Sequence, residues 1–231
     1  MIALVIRFIV IVSLLNSGIL FAAEKTPLKS FKEYLSYDIF KSEPVLNSES
    51  ALTKIALNLK NNRITESHFE QKKKISALTR PLVSKGYMFY AEGFGLFWKI
   101  ESPFLSYLRL TKNKMEQKSD NENWHAIAEG APEVGNVTSI FLALLRADIN
   151  LLSNHFVIYF QKQKNFWLIG LEPKSELLKK MMTKVLLKGN DFVQEITYWE
   201  SNGDYNFIRF LNPNGRSSKL TLAEKKHFID E

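Results

Sequence analysis

The feature that most restricts how this chain folds is the run from Phe69 to Leu110, FEQKKKISALTRPLVSKGYMFYAEGFGLFWKIESPFLSYLRL. Short alternating segments are separated there by Pro81, Gly86, Gly93 and Pro103. Apolar residues at every second position, with turn residues between the runs, specify antiparallel strands that each bury one face. After Gly93 the side chains of Phe94, Leu96, Trp98 and Ile100 are expected on one face and those of Gly95, Phe97, Lys99 and Glu101 on the other. In the next run Phe104, Ser106, Leu108 and Leu110 share a face, opposed by Leu105, Tyr107, Arg109 and Thr111. Neighbouring strands therefore offer large apolar groups to one surface of a twisted sheet, and whatever covers that surface decides the function.

The remaining chain supplies more of the same pattern. Phe156, Ile158 and Phe160 alternate, as do Phe166, Leu168 and Gly170 after Lys164-Asn165, and Phe192, Gln194, Ile196 and Tyr198 before Asn202-Gly203. Asn-Gly between alternating runs is a strong hairpin signal. A further hairpin is expected with its turn at residues 120–123 and with Trp124, Ala126 and Ala128 on one face. Two stretches carry helical spacing instead. Ala51, Leu52, Ile55, Ala56 and Leu59 line one face behind Ser48 as N-cap, and Val137, Ile140, Phe141, Leu144, Leu145 and Ile149 line another behind Asn136. Ser175 to Lys188 reads as a helical turn followed by a strand. Past Asn212 the tail is polar until Leu220, Leu222 and Phe228, which are expected along the sheet edge.

Several of these residues together resemble a known family. Phe69-x-Gln71, Gly86 opening a strand, an aromatic pair ending in Trp98, and Pro103 come in an order similar to that of the periplasmic outer-membrane lipoprotein carriers, the LolA-like proteins. Phe156 and Phe160, Trp167, Leu171-Glu172-Pro173, Asn202-Gly203-Asp204 and Phe207-Ile208-Arg209-Phe210 continue the likeness, which spans about Ser48 to Phe228. The resemblance implies an α+β fold: an incomplete, strongly curved antiparallel β-barrel whose α-helices close a hydrophobic cavity. Together with the apolar pattern it points to a cavity lined by Phe89, Leu96, Trp98, Ile100, Leu108, Phe141, Leu144 and Leu145, the alternative being that these residues form an ordinary dry core. It also implies a monomer that takes acylated lipoprotein or another acylated lipid from an inner-membrane release complex to an outer-membrane acceptor, with no catalysis and no cofactor. In the best-known carriers an arginine followed by proline lies in the loop before the tryptophan strand, and that arginine is tied to closing and opening the lid. The matching positions here are Glu92 and Gly93, which are the expected lid or latch positions with the charge reversed and the proline absent.

Export is expected on separate grounds. Residues 1–23 read as a secretory signal peptide: Arg7, the apolar run FIVIVSLLNSGILF, and small residues Ala22 and Ala23 at a cleavage point. An uncleaved anchor is the alternative, but polar interruptions leave the run short of the roughly 20 apolar residues a bilayer span needs. Residues 24–47 form an arm, with one short helix expected near Phe31 to Tyr37, and 48–231 the carrier-like domain. The chain has no cysteine, which excludes disulfides, thiolate metal sites and a lipidated N-terminal cysteine, so the domain depends on its core.

The net charge is +7, and removal of the leader takes away only Arg7 among charged side chains. Nucleic acid is an improbable partner for an exported chain without an interleaved patch of aromatic and arginine side chains. Lys72, Lys73 and Lys74 are expected as a solvated strand edge. The four histidines are scattered without metal-ligand spacing, and neither a Gly-x-Ser-x-Gly elbow nor a phosphate loop is present. A lipid-sensing adaptor on the same scaffold and an exported acyl-lipid hydrolase are the competing functional readings.

Overall fold

The computed structural model describes residues 39–45, 50–112, 114–129 and 132–229. The leader, the expected helix near Phe31 and the Ser48 cap lie outside the described residues. The expected alternation becomes one antiparallel sheet of eleven strands. These are β1 (Ile64–Lys74), β2 (Leu82–Ala91), β3 (Gly95–Ser102), β4 (Ser106–Leu110), β5 (Lys114–Ser119), β6 (His125–Glu129), β7 (Phe156–Lys162), β8 (Trp167–Pro173), β9 (Met182–Gly189), β10 (Val193–Glu200) and β11 (Tyr205–Arg216). Their order is β6-β5-β4-β3-β2-β1-β11-β10-β9-β8-β7, so all neighbours are consecutive in sequence except β1 and β11. The two termini of the sheet-forming chain thus meet in the middle of the sheet, and its edges are β6 and β7.

The helices are α1 (Ser50–Lys60), α2 (Pro132–Arg146), α3 (Ile149–His155), α4 (Glu176–Lys179) and α5 (Leu222–Lys225). α2 touches both β5 and β10, six strand positions apart. At about 4.8 Å per strand those positions would lie nearly 30 Å apart in a flat sheet, more than the length of α2 at 1.5 Å per residue. The sheet therefore curls around the helix without closing: an incomplete barrel. Met115 of β5, Leu144 of α2 and Phe156 of β7 belong to one interior cluster, which is the packing consequence of that curvature.

Several local expectations shift. The long apolar helical run is two helices: Ala147, with φ of 44°, breaks it, and the Asp148 side chain accepts from the Leu151 amide to start α3. Ile149 consequently sits in α3, and α2 begins at Pro132, placing Asn136 inside the helix and not at its cap. Phe94 and Phe104 fall in the connections flanking β3 and β4 and are 39% and 41% exposed, because the strands start after them. Gly86 lies within β2, which opens at Leu82. The lysine run is not an edge: β1 is paired on both sides, and Lys73 is buried, its ammonium 3.1 Å from Glu200. The expected helical turn and strand between Ser175 and Lys188 are found as α4 and β9.

Candidate functional site

The concave face is built by alternation. Met88 and Tyr90 of β2, Leu96, Trp98 and Ile100 of β3, and Leu108 and Leu110 of β4 all enter the interior cluster. Phe89 does not. Placed between Met88 and Tyr90 on the strand, it faces the convex side and packs with Ile64, Phe97 and Phe228. Of the other expected lining residues, Leu96, Trp98, Ile100, Leu108, Leu144 and Leu145 are buried in the interior cluster and Phe141 packs against it.

Trp98 is at the centre of this face and is 2% exposed. Phe69 stacks on it at 4.0 Å between ring centroids, while Phe141 and Phe210 meet it edge-on, each at 6.3 Å. The stack depends on Gly86, which pairs with Phe69 across β1 and β2. A Cβ at Gly86 would come within 2.9 Å of the Phe69 ring and 1.9 Å of the Lys99 carbonyl oxygen. Phe141 comes from α2, so this helix caps the aromatic cluster from the open side.

Among the described residues, the buried polar atoms without a hydrogen-bond partner include Trp98 Nε1, Ser106 Oγ and Thr138 Oγ1. Ser106 is 3% and Thr138 1% exposed. Sequence reasoning missed both hydroxyls as site residues, although a serine and a threonine on otherwise apolar faces were visible in the pattern.

Polar ties hold the end of α2. Arg146 donates from Nη1 to the Tyr90 hydroxyl at 2.9 Å and to Glu92 Oε1 at 3.1 Å, and from Nη2 to the Lys60 carbonyl at 3.5 Å. Arg63 Nε donates to the other Glu92 oxygen at 2.8 Å. Burial pushes the Glu92 carboxyl up, but the bonds and charges of Arg63 and Arg146 outweigh it and hold the group below the ordinary range. Glu92 thus joins the β2–β3 turn to α2, and Arg146 also reaches the end of α1. Gly93 makes the turn possible by its φ of 81°. Arg146 was not singled out in the sequence, since a single arginine after an apolar helical run reads as an ordinary C-terminal charge. Beside these ties a groove of about 130 Å³ runs between α1 and the α2–α3 junction, lined in part by Leu57, Lys60, Arg146 and Asp148.

The far end of the concave face is polar. Lys73 meets Glu200, which also accepts from Asn206 Nδ2 at 2.8 Å, and Gln71 lies 3.4 Å from Asn206 Oδ1. These groups satisfy one another. Among the described residues no three His, Asp or Glu side chains form a metal-holding group, and no helix is long and apolar enough to cross a membrane.

No protein-family model matches the chain, and no curated protein sequence matches it. Among solved structures the chain is similar to a LolA superfamily protein from Nitrosomonas europaea, with a TM-score of 0.42 and 9% identity over 78% of this chain and 97% of that one. It is similar to a DUF1329 family protein from Desulfovibrio piger, with a TM-score of 0.41 and 10% identity over 81% of this chain and 98% of the other. It also resembles a chain of the MucA/MucB complex of Pseudomonas aeruginosa, at 0.39 and 7%, covering 71% of this chain and 55% of that one.

Proposed function

We propose that this protein is a periplasmic carrier, not an enzyme, that holds the acyl chains of lipoproteins or of another acylated lipid in the concavity of its sheet and transfers them towards the outer membrane. The observation that carries the reading is the contrast in how α2 is attached. Its inward side, including Ile140, Ala143, Leu144 and Leu145, is buried against the sheet interior, whereas its C-terminal end is tied by the Glu92–Arg146 pair near the surface. A helix whose apolar contacts resemble those of an acyl chain is replaceable by one: each methylene buried contributes about 0.8 kcal/mol, whichever molecule supplies the covering surface. Closing α2 over Trp98 hides an apolar face that would otherwise promote aggregation.

In this reading Glu92 and Gly93 form the latch, with the cation on the helix and the anion on the turn. The signal peptide at residues 1–23 delivers the chain to the periplasm, residues 24–47 form the arm and 48–231 the carrier domain. An inner-membrane release complex and an outer-membrane acceptor are the partners. The test is native extraction from the periplasm with mass spectrometry of bound lipid, alongside a folded Leu144→Glu variant. Stoichiometric acylated cargo in the wild type, lost in the variant, is expected. A wild-type protein that is empty and takes up no added lipid overturns the reading. Uptake without transfer to acceptor vesicles replaces the carrier by a lipid-sensing adaptor.

A further inference from the structure

We propose that Trp98, Ser106 and Thr138 form a subsite for the carbonyl group of an acyl chain, deep in the concavity and under α2. The proposal rests on the carrier reading and deepens it. The indole N–H is a donor only, and each hydroxyl is both donor and acceptor. Buried polar groups in native proteins nearly always have a partner, because leaving one unpaired costs the full desolvation of that group. Here three such atoms, each on a residue at least 97% buried, have none within the protein.

Strand pairing and helix spacing relate all three residues to the position of Trp98. Trp98 lies opposite Leu108, and Ile100 opposite Ser106, so Ser106 is the diagonal cross-strand neighbour of Trp98 on the same face. Phe141 sets its edge against Trp98, and Thr138 precedes it by three residues on the adjoining side of α2. The rest of the neighbourhood is apolar: Phe69, Leu108, Phe141 and Phe210. The buried cation on the concave face, Lys73, is paired with Glu200 at the polar end. A donor and two hydroxyls, with no free cation beside them among the described residues, suit a neutral oxygen acceptor and disfavour a carboxylate, which would be buried without a counter-charge. An ester or amide carbonyl at the head of a hydrocarbon tail has that chemistry. The aromatic cage would then take the first methylenes, and the three polar groups would set how deep the chain enters.

The experiment compares two probes below their critical micelle concentrations: a short-chain diacyl phospholipid and its dialkyl ether counterpart of equal chain length, which lacks both carbonyls. Affinities are measured for wild type and for Trp98→Phe, Thr138→Val and Ser106→Ala, each checked for folding by circular dichroism. The wild type is expected to prefer the ester by about five- to tenfold, the scale of one or two net hydrogen bonds. The variants are expected to lose that preference, read as the ratio of ester to ether affinity within each protein. Thr138→Val conserves shape, so it decides the matter if Trp98→Phe does not fold. Equal affinity of the wild type for both probes, or an ester preference unchanged in every folded variant, overturns the subsite and leaves the carrier reading standing. Failure of the wild type to bind either probe overturns both.

Discussion

At the scale of single residues, Glu92 shows how far position alone can be read. Its place in the turn between β2 and β3 was legible from the distance to Gly86 and Trp98, but its partners were not. Arg146 is more than fifty residues away, and Arg63 and Tyr90 carry no motif. Parity errors are of the same kind. Phe89 was expected in the cavity lining, yet its neighbours Met88 and Tyr90 occupy that face and alternation sends Phe89 to the other. The latch is modest energetically, because the Glu92 side chain is 33% exposed and such pairs are worth little in water. A double-mutant cycle with Glu92→Gln and Arg146→Gln, read by urea denaturation, is expected to give a coupling of about 0.5–1 kcal/mol. The carboxyl is held below its ordinary range in the folded protein, so this contribution is complete above the unfolded carboxylate pKa and disappears as pH falls through the lower, folded value. A coupling that persists unchanged below both values would contradict the assignment.

Among elements, strands were more legible than helix boundaries. A period of two is kept in which cluster a side chain joins, with Met88, Tyr90, Leu96 and Trp98 on the interior and Phe89 and Phe97 on the convex side, and the hairpin at Asn202-Gly203 is found where its turn chemistry places it, with Gly203 at φ of 87°. The division of α2 from α3 was hidden because the apolar spacing runs on through Ile149 and Leu152, both buried. Only Asp148 signals the break, as a side chain able to cap a new helix. Its Oδ1 accepts from the Leu151 amide at 3.3 Å, and its carbonyl accepts from the Leu152 amide. Removing the cap in Asp148→Ala is expected to cost about 1 kcal/mol, measured as a lowered urea midpoint at unchanged slope. An unchanged midpoint would mean that packing of Ile149 and Leu152 alone starts α3.

Over the whole molecule, the pairing of β1 with β11 is the feature no local pattern specified, and it has a consequence at the C-terminus. β11 runs to Arg216 in the middle of the sheet, so the tail emerges onto the convex face and not at an edge as its composition suggested. α5, opened by a Thr221–Glu224 capping box, leads His227 onto Phe97 at 4.4 Å between ring centroids, and Phe228 joins Phe89 and Phe94. The tail is a strap over the strands whose other face carries Trp98. Burial pushes the His227 imidazole below its ordinary value near 6.5, and the neighbouring Glu224 carboxylate, which is itself paired with Arg216, only partly offsets this. The neutral ring is therefore the docked form. Docking is complete above the ordinary histidine value and weakens as pH falls through the lower, folded value, because the released tail binds the proton more readily. Trypsin cleavage after Lys225 and Lys226 at pH 7.5 should accordingly be slow. Hydrogen exchange at the Phe228 amide, which donates to the Lys225 carbonyl, should lose protection as pH falls below the ordinary histidine value, beyond the intrinsic change in exchange rate. His227→Phe keeps the aromatic contact and removes the titration, so its protection should follow the intrinsic rate alone. Equal pH dependence in the two proteins would show that the strap is released by some other group.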